Sequence, residues 1–80
     1  MPEMTDLMVE RLNTVVYASG LMPKEIVAEM GISRNTYYRH LKGYCGCSDE
    51  NLAKYAEVLE VNEAWLRGDK KATMRGLVKL

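Results

Sequence analysis

The chain has 80 residues, 48% of them hydrophobic, and its 11 Lys and Arg balance 11 Asp and Glu. Those figures fit one small soluble domain, and zero net charge argues against a protein that coats nucleic acid without regard to sequence. A chain this short buries only about 60–65% of its unfolded surface, which leaves no room for a deep catalytic cleft beside a core, so an enzyme is disfavoured.

Glycines and prolines divide the chain into short segments, each of which reads as a helix. Thr5 is an N-cap for a first helix in which Met8, Leu12, Val15 and Ser19 recur at helical spacing until Gly20 stops it. Pro23 opens a second, barely two turns long, carrying Ile26, Val27 and Met30 and ended by Gly31. Ser33 caps a third that runs to Lys42 and closes at Gly43. Ser48, followed by Asp49 and Glu50, caps a fourth with Leu52, Ala56 and Leu59 in register. Asn62 and Glu63 open a fifth that holds Ala64, Trp65 and Leu66 and ends at Gly68. The expectation is an all-α, five-helix irregular bundle over residues 1–68, followed by a basic tail, 69–80, with Met74, Leu77 and Val78 at helical spacing. With Phe absent, Leu, Val, Met, five Tyr and one Trp must fill the core.

The charges are unevenly placed. Residues 1–31 carry a net −3, 32–44 a net +3, 45–63 a net −4 and 64–80 a net +4. No carboxylate occurs between Glu29 and Asp49, an interval that holds Arg34, Arg39 and Lys42. With about 100° per residue, Arg34, Tyr38, Lys42, Asn35 and Arg39 fall on one uninterrupted polar arc of the third helix. Tyr37, His40, Leu41 and Tyr44 fall on the reverse, where packing on the bundle would hold them. The turn Gly31-Ile32-Ser33 between helices two and three needs a residue tolerant of positive φ, which Gly31 supplies, while Ile32 plugs the core. This is the spacing of a helix-turn-helix. Its outward set suits a DNA major groove: Arg pairs bidentately with guanine, Asn with adenine, and Lys or Tyr holds phosphates. Arg34 and Asn35 sit at the N-terminal end that enters a groove first. Arginine in a first turn opposes the helix dipole, a cost of about 0.3–1 kcal/mol that hints at an anionic ligand.

These residues resemble the lambda-repressor-like, Cro/Xre-type helix-turn-helix domains of phage and bacterial transcription regulators. The resemblance covers about residues 8–68 and rests on several stretches. These are Glu10-Arg11-Leu12, Met30-Gly31-Ile32-Ser33 with Thr36, Leu41-Lys42-Gly43, the run from Leu52 to Leu59, and Trp65-Leu66-Arg67-Gly68. It implies that helices two and three form the DNA-binding unit and that the protein works as a homodimer, the last helix and the residues beyond it contributing to the interface. It also implies that Ser33, Arg34, Asn35, Tyr38 and Arg39 take the DNA-facing positions, beside Thr36 at the turn, with Lys42 and Tyr44 near the backbone. The chain departs from the family at Val27, where alanine is usual, at His40, where an aliphatic residue is usual, and at the start of helix two. There Pro23 replaces a polar residue that often touches phosphate, which moves that contact to Lys24 or a backbone N–H. The string from Gly31 to Thr36 also resembles the terminal helix-turn-helix of Fis-type activators, which lack the helices found here beyond residue 48.

Other residues invite a chemistry of their own. His40, Cys45 and Cys47 fall one ligand short of a closed metal site, and the favoured reading is a helix-packed histidine with unligated thiols in a loop. No metal, cofactor, catalytic group or small-molecule substrate is implied. Cysteines separated by a single residue do not make a disulfide framework, which agrees with a reducing compartment. No apolar run approaches the ~18–20 residues of a membrane span, and the start of the chain lacks the pattern of a signal peptide, so a cytoplasmic location is expected. Trp65 serves either the core or a dimer seam. The tail serves dimerisation, phosphate contact or linkage to another segment. The functional expectation is a sequence-specific, repressor-like regulator that binds double-stranded DNA. The alternative is a module that keeps the helix-turn-helix fold but binds protein, which zero net charge and the acidic segments around helices one and four suggest.

Overall fold

Five helices appear in chain order in the computed structural model, which describes residues 4–74: α1 (Asp6–Ser19), α2 (Pro23–Met30), α3 (Arg34–Lys42), α4 (Asp49–Leu59) and α5 (Glu63–Leu66). Among the described residues there is no strand, and no helix is long and apolar enough to cross a membrane. The helix starts are those the sequence marks. The hydroxyls of Thr5, Ser33 and Ser48 accept the backbone N–H groups of Met8, Thr36 and Asn51, and the Asn62 side chain accepts that of Ala64. Each satisfies a first-turn donor that has no partner within its helix. Pro23 begins α2, and the Glu25 carboxylate reaches back to the Met22 N–H at 2.8 Å.

One core joins the helices. Met8, Leu12 and Val15 of α1 meet Ile26 and Met30 of α2, Tyr37 of α3, Leu52, Tyr55, Ala56 and Leu59 of α4, and Leu66 of α5, all buried. Phe being absent, Tyr37 and Tyr55 supply the aromatic bulk. Tyrosine brings a hydroxyl that must be paired when buried, and for Tyr55 the partner is Nδ1 of His40 at 2.7 Å, the rings meeting edge to face. His40 is thus the packed histidine the sequence implies. Cys47 is a free thiol in the loop between α3 and α4, as expected, and its side chain is fully buried in the core. A small, sulfur-bearing side chain packs as an apolar one, and helical periodicity gives no information on a residue outside a helix.

One position in α1, Ser19, differs from the sequence reading. Ser19 is exposed and donates its hydroxyl to the Val16 carbonyl instead of continuing the apolar stripe. Leu59 is followed by Glu60 in the left-handed region (φ 57°), so α4 closes without a glycine, on bonds from the Glu60 N–H to the Ala56 and Glu57 carbonyls. The last helix is one turn, ended when the Gly68 N–H bonds to the Trp65 carbonyl three residues back. Alone, one turn does not persist in water. Arg11 of α1 supports it, donating to the carbonyls of Trp65 (2.6 Å) and Asp69 (3.1 Å) with its guanidinium 4.7 Å from the Trp65 ring centre. Trp65 is half-buried and packs against the core. Arg67 ties the end of α5 to the start of α4 through Asp49 at 2.7 Å and bonds Glu63 through Nε at 2.8 Å. The described start of the tail turns back onto the domain: the Asn62 N–H donates to the Met74 carbonyl at 2.7 Å, and Met74 packs on the core outside any helix. Leu77, Val78, Lys79 and Leu80 lie outside the described residues.

Candidate nucleic-acid interface

The geometry of α3 depends on the contacts that hold its inner side. Tyr37 and His40 are buried and Leu41 is half-buried, while Ile32, in the turn from α2, packs partly into the same core. In that turn the Val27 carbonyl accepts the N–H groups of both Gly31 (2.9 Å) and Ile32 (3.3 Å), with Gly31 at φ 72°. The C-terminal end of α3 is fixed against α1 in two ways. Asn13 donates from its side-chain amide to the Leu41 carbonyl at 2.8 Å and to the Val9 carbonyl of its own helix at 2.7 Å. Gly43, at φ 72°, lies so close to α1 that a Cβ there would stand 2.9 Å from Cγ2 of Val9.

With its reverse side held, α3 turns Arg34, Asn35, Tyr38, Arg39 and Lys42 outward; Arg34, Asn35, Arg39 and Lys42 are exposed, and the Tyr38 ring is 41% exposed. Lys24, in the first turn of α2, is exposed as well, and it lines a shallow cleft of about 330 Å³ with Met22, Pro23, Arg34 and Tyr38. The structure therefore brings Lys24, from α2, together with two of the α3 residues. Tyr38 leans on Tyr37, ring centres 5.3 Å apart, which steadies its outward ring. Ser33 and Thr36 are engaged at the start of the helix, the Ser33 hydroxyl accepting the Thr36 N–H at 3.1 Å and donating to Thr36 Oγ1 at 2.9 Å. Tyr44 does not take the inward position that the helical wheel assigns it. The helix stops at Lys42, the Tyr44 N–H caps it on the Arg39 carbonyl at 2.9 Å, and the ring is 73% exposed.

Burial sets the charge state beneath this surface. Desolvation lowers the His40 pKa below the ordinary imidazole value, so the ring is neutral at pH 7 where its Nδ1 shares a hydrogen bond with the Tyr55 hydroxyl. The Tyr55 hydroxyl is pushed far up, first by burial and then by the neighbouring Cys47. Burial, with Cys45 adding, pushes the Cys47 thiol up to about 12, the reverse of the shift a reactive cysteine needs. Among the described residues no group of three or more His, Cys, Asp or Glu is placed to hold a metal ion. Sequence reading misses the Asn13 clamp, whose partner is a backbone carbonyl 28 residues away, and no local signal marks it.

No protein-family model matches the chain, and no curated protein or solved structure matches it.

Proposed function

We propose that the protein is a sequence-specific, double-stranded-DNA-binding transcription regulator of the lambda-repressor-like kind, with α2 and α3 as its helix-turn-helix and α3 as the helix that enters the major groove. One observation carries the reading. Arg34, Asn35, Arg39 and Lys42 stand exposed on a helix whose other side is anchored by Tyr37 and His40, in a stretch of chain without a single carboxylate. Arg34 and Asn35, at the leading end, read base edges, and Arg39 reads a base further along. Lys24 and Tyr38 hold phosphates on either side of Arg34, and Lys42 and Tyr44 hold the backbone where α3 ends. Ser33 and Thr36 set the start of the helix, so their contribution to the interface is mainly its orientation. A single α3 reads only a few base pairs, so a homodimer on a two-fold operator is the form in which it reaches useful specificity. The activity belongs in the cytoplasm, where the DNA of a phage or bacterium is found.

Selection of bound duplexes from a random pool tests this. The expected result is an enriched palindrome whose half-site spacing also measures the dimer. On that site Arg34→Ala or Asn35→Ala costs about 1–3 kcal/mol and relaxes preference at one base position. Lys42→Ala weakens all sequences alike and flattens the salt slope by about one. If no sequence is enriched even at low salt, the protein-binding module becomes the better reading.

A further inference from the structure

Away from the α3 surface, α2 and α4 leave a groove between them. It is a hollow of about 710 Å³ whose floor is Leu21, Ala28 and Val58 and whose rim is Glu25, Glu29, Glu57 and Glu60. A second hollow of about 240 Å³ shares Leu21, Val58 and Glu60 and extends it toward Ala18 and Ser19 at the end of α1. An apolar floor under a carboxylate rim fits a short segment with aliphatic side chains and cations. Beyond the described residues the chain has such a segment with no acid in it, Arg75-Gly76-Leu77-Val78-Lys79-Leu80. Its starting point is fixed next to the groove. The Met74 carbonyl accepts the Asn62 N–H at 2.7 Å, and Asn62 lies two residues beyond Glu60, at the rim. Six residues span up to about 20 Å when extended, enough to cross the hollow from there.

We propose that residues 75–80 dock in this groove of their own chain, Leu77 and Val78 on the floor formed by Leu21, Ala28 and Val58, and Arg75 and Lys79 among the carboxylates of α2 and α4. The short tether decides between the same chain and a second copy. A segment anchored at the groove's edge is present at an effective concentration in the millimolar range, far above that of another molecule in a dilute solution. Docking here places Arg75 and Lys79 against the acids of α2 and α4 and keeps these two cations out of reach of phosphates. The proposal does not depend on whether α3 reads DNA.

Methyl NMR on the 80-residue chain tests it. Nuclear Overhauser contacts from the Leu77 and Val78 methyls to those of Leu21, Ala28 and Val58 are expected, unchanged over a ten-fold dilution. Ala28→Arg, at an exposed helical position, fills the floor and adds a cation that repels Arg75 and Lys79. It should abolish the contacts and return the tail methyls to random-coil shifts, while the amide spectra of α1, α3 and α5 stay in place. The proposal is overturned if the wild-type tail methyls already show random-coil shifts and no groove contact. It is also overturned if the contacts survive Ala28→Arg, or if a mixture of labelled and unlabelled protein shows them only between molecules.

Discussion

Replacing Gly43 with alanine asks two things of the chain at once. The residue sits at φ 72°, where an L-side chain costs about 1–2 kcal/mol. Its new Cβ would also stand 2.9 Å from Cγ2 of Val9, so α1 and the end of α3 must separate by several tenths of an ångström, a strain of about 1–3 kcal/mol. Together these come to about 2–5 kcal/mol, less a few tenths for the stiffer unfolded chain. Gly31 is the internal control: φ is again 72°, but a Cβ there would meet nothing within 4 Å, so Gly31→Ala should cost only the first part. Urea unfolding followed by circular dichroism at 222 nm measures both. The steric part should disappear when Val9→Ala is combined with Gly43→Ala, giving a favourable coupling of about 1 kcal/mol or more in the double-mutant cycle. Equal losses for Gly31→Ala and Gly43→Ala, or no coupling to Val9, would refute the close approach of α3 to α1. A domain of this size has about 3–5 kcal/mol in all, so Gly43→Ala should leave a measurable unfolded fraction without denaturant.

Three other outcomes rest on the same contacts. Because burial lowers the His40 pKa, the unfolded chain binds a proton that the folded chain refuses; stability is full above about pH 6.5 and is lost as the pH falls from there toward the folded-state value, at no more than about 1.4 kcal/mol per pH unit. Urea titrations between pH 5 and pH 8 should show that slope, and His40→Gln should remove it at the expense of overall stability. A thiol reagent at pH 8 should modify the half-buried Cys45 in the native protein and reach Cys47 only after unfolding, which mass spectrometry of the labelled peptides reads directly. Asn13→Ala frees the carbonyl at the end of α3 and should cost about 1 kcal/mol of stability. On an operator found by selection it should also weaken binding without changing base preference, and a changed preference would mean that Asn13 itself touches DNA.

Much of the fold is written locally. Thr5, Pro23, Ser33, Ser48 and Asn62 begin their helices because each meets a need of the first turn, either by accepting an N–H or by lacking one, and that need does not depend on the rest of the molecule. The outward set on α3 is legible for a similar reason: nine helical residues have a fixed angular order, and once Tyr37, His40 and Leu41 take the inner side, Arg34, Asn35, Tyr38, Arg39 and Lys42 face out. Where the helix ends, the order no longer holds, and the same wheel misplaces Tyr44. Cys47, the Asn13 clamp and the pairing of His40 with Tyr55 depend on contacts between segments far apart in sequence, which a periodic pattern does not encode. Glu60 in the left-handed region is hidden by its type, since glycine is the usual mark of that geometry.

Arg11 also bears on how the molecule comes apart. It reaches across 54 residues to a single helical turn that has little cohesion of its own and otherwise leans on its neighbour α4 through Leu66 and the Arg67–Asp49 pair. Parting α1 from α5 gives up two hydrogen bonds and one ring contact of a single arginine, so a local opening at this seam lets water toward the interior while the other helices stay packed.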